Sequence, residues 1–263
     1  MSPARGEGVG FVGDWSTRIV TLALPRPSVE RMLAREPRLG RDLELLPQGL
    51  TPEGSHPVLF SFGTLHRSRM SWSSAASSSL TYEEMAVVVP FVASRRRSAR
   101  TGTPLPRVYL PRLFLNATVP TVGGWLYWGF NKVLARIGDT QEDPGRYDVR
   151  SLVAGTPLLS LRWEAPTEPY QPVSEVPAFQ AMQEIHEQSL LGTVGPLLTS
   201  APWTKDWSQG TVRGLSAELR LSAPFVPGLE PGHHTCAPLG PDHVLGAYQL
   251  RVPFVLALPR LEP

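Results

Sequence analysis

Prolines and glycines are spread along the whole chain and limit what it can fold into. The 263 residues include 28 prolines and 23 glycines. Both residue types disfavour long helices and suit short strands joined by turns, because proline removes a backbone donor and glycine loses the most freedom on folding. Hydrophobic residues make up 41% of the chain, which is enough for a sizeable core. No internal repeat or long polar linker divides the sequence, so residues 1–263 are expected to form a single domain.

Apolar and β-branched runs predict at least seven strands, each bounded by proline, glycine or polar residues. Two helices are predicted, one beginning at Ser28 and one over 178–191, because apolar residues recur there at helical spacing. The clusters 71–79 and 95–100 are interpreted as loops. The predicted strands are 17–24, 56–66, 80–92, 107–116, 150–163, 214–223 and 244–258. The pattern favours an antiparallel or mixed β-barrel or sandwich, mainly β (α+β), with peripheral helices.

The predicted strand 80–92 is almost continuously apolar, so both of its faces are expected to be buried. Two acidic residues, Glu83 and Glu84, follow one another near its start. Successive side chains of a strand point to opposite faces, so at most one of the two is expected to face the interior.

Composition excludes several classes of protein. A net charge of +2 is too balanced to predict nucleic-acid binding. Cys236 is the only cysteine, so no intrachain disulfide can form and an oxidising compartment is not implied. The first residues lack an apolar signal region, and no stretch approaches the roughly 18 apolar residues of a membrane span. We therefore expect a cytoplasmic protein that binds neither nucleic acid nor membrane.

Lys132 is one of only two lysines in the chain, although lysine and arginine together number 25. The other, Lys205, lies next to aromatic residues. A lysine amine can lose its proton and attack a carbonyl carbon, whereas an arginine guanidinium cannot. Lys132 is therefore the leading candidate for a reactive group.

A nucleophilic lysine must be neutral, and its ordinary pKa of about 10.4 must therefore be lowered. Apolar walls lower it by desolvation, and a neighbouring cation lowers it by repulsion. Trp125, Trp128 and Phe130 are candidate walls, and Arg136 would lie one turn away if the segment were helical. The alternative is that Lys132 belongs to an amphipathic segment and reaches its amine out to water.

Other clusters carry weaker signals. His233, His234, Cys236 and His243 are possible metal ligands, but their spacing fits no zinc module, and a surface loop without metal is expected. The arginines of 95–100 are interpreted as a charged hairpin tip rather than a phosphate site.

The stretch from Tyr109 to Lys132 resembles the acetoacetate decarboxylase family. Tyr109-Leu110, Phe114-Leu115, Gly124 and Gly129-Phe130-Asn131-Lys132 fit the family pattern without a gap, and Lys132 falls on the Schiff-base lysine. Upstream, Tyr82-x-Glu84 with Pro90 resembles the strand that supplies the family's active-site carboxylate.

This resemblance implies a cone-shaped antiparallel or mixed β-barrel with one small-molecule pocket and a homo-oligomeric assembly. Neither a cofactor nor a metal is expected. Lys132 and Glu84 would be catalytic. The residues implied to contact the substrate are Ser61, His66, Tyr82, Trp128, Phe130 and Asn131.

The chain also departs from the family pattern. Trp125-Leu126 replaces Arg-Glu, Asn131 replaces proline, and Val133 replaces a second lysine. Ser61 falls where the family has a glutamate, and the first-strand arginine that would hold a substrate carboxylate becomes apolar near Ala23. Arg18 could substitute only if the alignment slipped by several residues.

Two functions follow as hypotheses. The first is a Schiff-base-forming lyase that uses Lys132 on a small keto compound, by decarboxylation or by aldol or dehydration chemistry. The second is a non-catalytic barrel of the same fold that binds an apolar small molecule.

Overall fold

The computed structural model describes residues 9–34, 42–73, 79–138, 145–166, 168–194, 197–241 and 244–262. These ranges are mainly β, with few helices, as predicted. The strands are β1 (Gly10–Pro25), β2 (Leu43–Leu45), β3 (Ser55–Met70), β4 (Leu80–Ser94), β5 (Arg107–Leu115), β6 (Lys132–Ile137), β7 (Arg146–Ser151), β8 (Pro157–Trp163), β9 (Gln171–Pro172), β10 (Leu190–Val194), β11 (Leu197–Ala201), β12 (Trp203–Lys205), β13 (Thr211–Gly214), β14 (Ala217–Leu221), β15 (Gly232–Cys236), β16 (Tyr248–Ala257) and β17 (Arg260–Leu261).

The helices are short and peripheral. The α-helices are α1 (Arg26–Ala34), α2 (Arg95–Thr101), α3 (Thr118–Gly123) and α4 (Pro177–Glu187), with a π-helical turn at Gly124–Trp128 and 3₁₀ turns at Val173–Glu175 and Trp207–Gln209. None of the helices in the described ranges has the length and apolar character needed to cross a membrane.

The long strands β1, β3, β4 and β5 form the antiparallel centre of the sheet, with β16 on the other side of β1. β5 then pairs in parallel with β10 near its start and with β6 near its end. From β6 the ladder continues antiparallel through β7, β8, β14 and β15. The result is one large mixed sheet.

The central strands are buried on both faces, as predicted for residues 80–92. On one face, Phe60, Phe62 and Met85 pack against a hydrophobic cluster that includes Tyr147 of β7 and Leu161 of β8. On the other face, α4 and β16 cover a second cluster. The sheet therefore curls so that β7 and β8 lie over its first face.

The position of Glu83 differs from the expectation that at most one of Glu83 and Glu84 faces the interior. Its side chain points to the face covered by β7, where it accepts a hydrogen bond from Thr64 Oγ1 at 2.8 Å, and its Oε2 atom is buried. Both faces of β4 are interior, so neither Glu83 nor Glu84 points to open solvent.

Several element boundaries differ from the sequence prediction for local reasons. The arginine cluster forms α2 rather than a loop, because the Ser94 hydroxyl caps it by accepting from Arg97 N at 3.2 Å. The predicted strand 150–163 is a hairpin of β7 and β8, with Gly155 at φ 66° in the turn. Within the serine cluster, residues 74–78 lie outside the described residues.

Three further elements differ. The predicted helix 178–191 ends at Glu187, and its last two residues begin β10 instead. The predicted strands 214–223 and 244–258 shorten to β14 and β16. The segment of His233, His234 and Cys236 is strand β15 rather than a loop, and His243 lies outside the described residues.

Candidate active site

A cavity of about 350 Å³ lies between the central sheet and the segment 118–130, with α4 and β10 closing its far end. Its wall is mostly apolar. Trp15, Leu59, Leu65, Leu110, Leu113 and Phe130 are among the buried residues that line it. Four lining residues, Arg69, Trp72, Val119 and Tyr127, are exposed, and we call them the rim.

Lys132 enters this cavity because the chain before it reverses sharply. After α3 and the π-helical turn, Gly129 adopts φ 65°, a conformation that residues with a Cβ rarely take. A Cβ at Gly129 would also collide with the backbone of Thr193. The reversal starts β6 at Lys132, directly beside Leu113 of β5.

The Lys132 side chain packs across the backbone of Gly124. A Cβ built on Gly124 would lie 2.5 Å from Lys132 Cδ, and nearer still to Cε and Nζ. The amine donates a hydrogen bond to the Pro120 carbonyl oxygen at 3.1 Å. Gly124 therefore provides the space that the lysine occupies, and Pro120 directs its amine.

Glu84 faces the same cavity from β4, where its register partners are Gly63 on β3 and Leu115 on β5. No donor from the described residues is hydrogen-bonded to its carboxylate, whereas the carboxylate of Glu83 is held by Thr64 on the opposite face. The carboxylate is thus available to a molecule in the cavity.

Burial favours the uncharged forms of both Lys132 and Glu84. It lowers the pKa of Lys132 to about 8, against the opposing attraction of the Glu84 carboxylate. It raises the pKa of Glu84 to about 7, with Lys132 acting in the other direction and Glu83 adding to the rise. Desolvation is therefore the main cause for both groups, and no neighbouring cation contributes to the shift of Lys132.

Polar groups beside the pair are few. Ser61 and Thr17 share a hydrogen bond of 2.9 Å between their hydroxyls. Trp15 Nε1 is a buried donor without a partner among the described residues, and it lies close to Gly63, the register partner of Glu84.

The structure brings together most of the residues that the sequence singled out. Six of the predicted site residues line the cavity: Lys132, Glu84, Ser61, Tyr82, Trp128 and Phe130. His66 and Asn131 do not line it. His66 is exposed on β3 beside a bulge, and the Asn131 amide donates to the Pro111 carbonyl at 2.9 Å.

The expected surroundings of Lys132 change in three ways. Trp125 is 56% exposed and does not line the cavity. Arg136 lies on a strand instead of one helical turn away, and it is exposed. Arg18 points to the opposite face of the sheet, where it stacks 4.1 Å from the Trp163 ring centroid, so it does not replace a substrate clamp beside Lys132.

Sequence reasoning missed the roles of Pro120 and Gly124 and the contribution of His186 and Gln188 to the far end of the cavity. The pair Gly123-Gly124 was the only signal in the sequence. It could not reveal the role of Gly124, because a glycine required for close approach looks the same in sequence as a glycine in a turn.

Lys205, the second lysine, is half-buried and does not line the cavity. Its amine donates to the carbonyl oxygens of Trp203, at 2.8 Å, and His186. It also lies 3.8 Å from the centroid of the Trp203 ring. These contacts tie the end of α4 to β12 and explain the lysine structurally.

No cluster of three or more potential metal ligands occurs within the described ranges. His233, the exposed member of the histidine pair, lies 3.6 Å from Glu218 instead.

Comparison with known proteins agrees with this architecture. The sequence model of the family described as acetoacetate decarboxylase matches residues 42–187, more than half of the chain. No curated protein matches the chain significantly.

Several solved structures share the fold at low sequence identity. The enduracididine biosynthesis enzyme MppR complexed with pyruvate has a TM-score of 0.59 and 14% identity, covering 99% of this chain and 93% of that one. Acetoacetate decarboxylase from Legionella pneumophila subsp. pneumophila str. Philadelphia 1 also has a TM-score of 0.59 and 14% identity, covering 97% and 88%. An acetoacetate decarboxylase-like enzyme from Sphingomonas wittichii RW1 has a TM-score of 0.60 and 12% identity, covering 100% and 98%.

Proposed function

Since the chain belongs to the acetoacetate decarboxylase family, we propose that it is a lyase that forms a Schiff base between Lys132 and a carbonyl substrate. The observation that carries this proposal is a desolvated lysine amine that shares an apolar cavity with one free carboxylate. The cavity takes its walls from strands early and late in the sequence, which supports a single domain over residues 1–263. A cytoplasmic, homo-oligomeric protein remains a prediction from the sequence.

The lowered pKa makes the amine available at neutral pH. With a pKa of about 8, about one amine in ten is neutral at pH 7. At the ordinary pKa of about 10.5 the neutral share would be roughly 300-fold smaller. The cavity thus supplies much of the activation that a nucleophilic lysine needs.

The proposed reaction begins with attack of the neutral Nζ on the carbonyl carbon, while the C=O electron pair moves to oxygen. Proton transfer and loss of water leave a protonated imine. The bond between the adjacent carbon and a departing group then breaks, and its electron pair enters the imine to form an enamine. The group leaves as carbon dioxide in decarboxylation, as an aldehyde in aldol cleavage, or as a proton taken up by Glu84 in aldol condensation and dehydration. The enamine carbon then takes up a proton, or attacks a second carbonyl carbon whose oxygen is protonated, or the enamine expels a β-hydroxyl group as water, and hydrolysis of the imine returns the lysine and releases the product.

Glu84 is the proposed acid and base for these proton transfers. A pKa of about 7 leaves both of its forms well populated at neutral pH, which suits a group that must accept and return a proton. Its side chain faces the same cavity as the lysine, so the transfers can occur directly or through one water.

The bond that breaks distinguishes decarboxylation from aldol or dehydration chemistry. A β-keto acid needs a cation for its carboxylate, and among the described residues the lining cations are Lys132 itself and Arg69 of the rim. The position expected for a clamping arginine is apolar, and Arg18 lies on the other face. Aldol or dehydration chemistry on a carbonyl compound is therefore the better proposal.

The apolar wall favours a second candidate, a barrel that binds an apolar molecule without forming an imine. The two candidates differ in whether the Lys132 amine reacts.

Borohydride reduction in the presence of carbonyl compounds, followed by peptide mass spectrometry, distinguishes them. We expect a reduced adduct on Lys132 and none on Lys205, whose amine is bound to two carbonyl oxygens. A Lys132→Arg variant is the matched control, because it keeps a cation but removes the nucleophile. If Lys132 forms no adduct with any carbonyl tested, the lyase proposal is wrong.

A further inference from the structure

The cavity continues past Lys132 along β4 and β5. Beyond the lysine it is lined by Val88, Val108, Leu110, Ile185 and Leu190, which we call the apolar arm. Lys132 is the register partner of Leu113, and Leu190 is the register partner of Val108, five residues earlier on β5. At about 3.3 Å per strand residue, the arm reaches roughly 15 Å from the lysine.

The far end of the arm carries polar groups but no charge. The His186 ring nitrogen Nε2 is hydrogen-bonded to the Tyr248 hydroxyl at 2.8 Å, and burial lowers the pKa of this histidine well below its usual value. Gln188 accepts a hydrogen bond from Phe91 N at 2.9 Å through its side-chain oxygen. Neither residue provides a cation for an anionic ligand.

The charges inside the cavity disfavour a carboxylate next to the reacting carbonyl. Glu84 and Lys132 are the charged residues of the interior, and Arg69 belongs to the exposed rim. Once the lysine has become a protonated imine, its single positive charge would face both Glu84 and a substrate carboxylate, and the described interior offers no second cation. Burying two carboxylates against one positive charge is costly.

We propose that the substrate is an uncharged ketone or aldehyde with a large apolar substituent, and that this substituent occupies the apolar arm. The inference rests on the proposed Schiff-base function. A cavity of about 350 Å³ is in the size range of sites for drug-sized ligands, about 300–1,000 Å³, whereas a three-carbon keto acid would leave most of it empty.

Four carbonyl compounds distinguish the effect of substrate size on trapping from the effect of substrate charge. Acetone is small and neutral, and pyruvate is small with a carboxylate. Benzylacetone and benzylpyruvate are their counterparts with a large apolar group. Borohydride trapping on Lys132 should reach half-saturation with benzylacetone at a concentration at least about tenfold below that for acetone, because several apolar carbons are buried. Within each size pair, the carboxylate should weaken trapping.

A Val88→Phe variant tests the location of the substituent, because the larger ring would fill the arm. It should abolish the preference for benzylacetone, because the trapping of benzylacetone should fall by a larger factor than the trapping of acetone. Val153→Phe is the matched control, since Val153 is 95% exposed and lies away from this cavity. The comparison of the four compounds on the unaltered protein needs no variant, so it decides the proposal even if Val88→Phe does not fold.

The outcomes of these experiments test the substrate class, the assignment of the substituent to the arm and the Schiff-base function separately. Trapping of pyruvate in preference to benzylacetone would overturn the inferred substrate class and leave the reactive lysine intact. An unchanged benzylacetone preference in a folded Val88→Phe variant would overturn the assignment to the arm. Failure of all four compounds to trap Lys132 would refute the Schiff-base function itself.

Discussion

Replacing Gly124 by alanine should displace the Lys132 amine while leaving the protein folded. Gly124 has φ −65° and ψ −30°, which alanine adopts readily in a helix. The added methyl group would meet the far end of the flexible Lys132 side chain, which can move, rather than rigid backbone. The substitution therefore acts on the position of the amine more than on the stability of the fold.

The size of the displacement follows from the geometry. The new Cβ would lie 2.5 Å from Lys132 Cδ and nearer to Nζ, whereas ordinary van der Waals contact begins at 3.4 Å. The amine must therefore move by about 1 Å or more, and a misplacement of that size can reduce a reaction rate by about 100-fold. The hydrogen bond to the Pro120 carbonyl should be lost in the same movement.

The assay is the rate of borohydride trapping of benzylacetone on Lys132, measured together with thermal unfolding. Gly123→Ala is the matched control, because Gly123 is also helical and a Cβ there would meet nothing within 4 Å. We expect a loss of about 100-fold in Gly124→Ala and near-normal trapping in Gly123→Ala, with similar unfolding temperatures. Equal trapping by the two variants would refute the reasoning that Gly124 makes room for the lysine.

Three further predictions concern the pKa values and the reversal before β6. The rate of trapping should increase with pH, with its midpoint near pH 8, the pKa of Lys132. Glu84→Gln should move this midpoint to lower pH, because the Glu84 carboxylate raises the pKa of Lys132. A midpoint that stays in place or rises would contradict this interaction between the two charges. Lys132→Met should raise the free energy of unfolding by on the order of 1–3 kcal/mol at pH 6, where Glu84 is mostly protonated and burial of the ammonium is unfavourable. This gain should be full below about pH 7, where Glu84 is protonated, and should decline above it as the Glu84 carboxylate forms and the folded lysine loses its proton. The decline is complete above about pH 10.5, where the unfolded lysine has also lost its proton. Chemical denaturation at several pH values measures the gain, and a destabilised variant would count against the desolvation argument. Gly129→Ala should lower the free energy of unfolding by about 2–4 kcal/mol in the same assay, because φ is positive and the Cβ would collide with the Thr193 backbone; a loss below about 0.5 kcal/mol would show that the reversal tolerates a side chain.

Local features were accessible from the sequence. The apolar run of β4 predicted a strand buried on both faces, and strand alternation predicted that Glu83 and Glu84 point to opposite sides. Resemblance to one family then singled out Lys132 and Glu84, and the family and the mainly β fold are confirmed. The predictions of the buried strand, the fold and the family depend on neighbours in sequence or on a motif of consecutive residues, and the roles of Lys132 and Glu84 stay predictions.

Element boundaries were less accessible, because they depend on contacts that a residue pattern does not reveal. The Ser94 cap converts the arginine cluster into α2. Parallel pairing with β5 draws Leu190 and Leu191 out of the predicted helix and into β10. In both segments the local pattern was compatible with two conformations, and packing selected one.

The sequence by itself determined that this is a mainly β chain with one lysine in an apolar, aromatic stretch and two adjacent carboxylates on a buried strand. Tertiary structure alone decided that the amine crosses Gly124, that the cavity extends along the apolar arm to Gln188, and that Arg18 belongs to the opposite face. The physical reason is that a pKa, a cavity and a clamp each depend on burial and distance between residues far apart in the chain. Packing sets both quantities only once the sheet has curled.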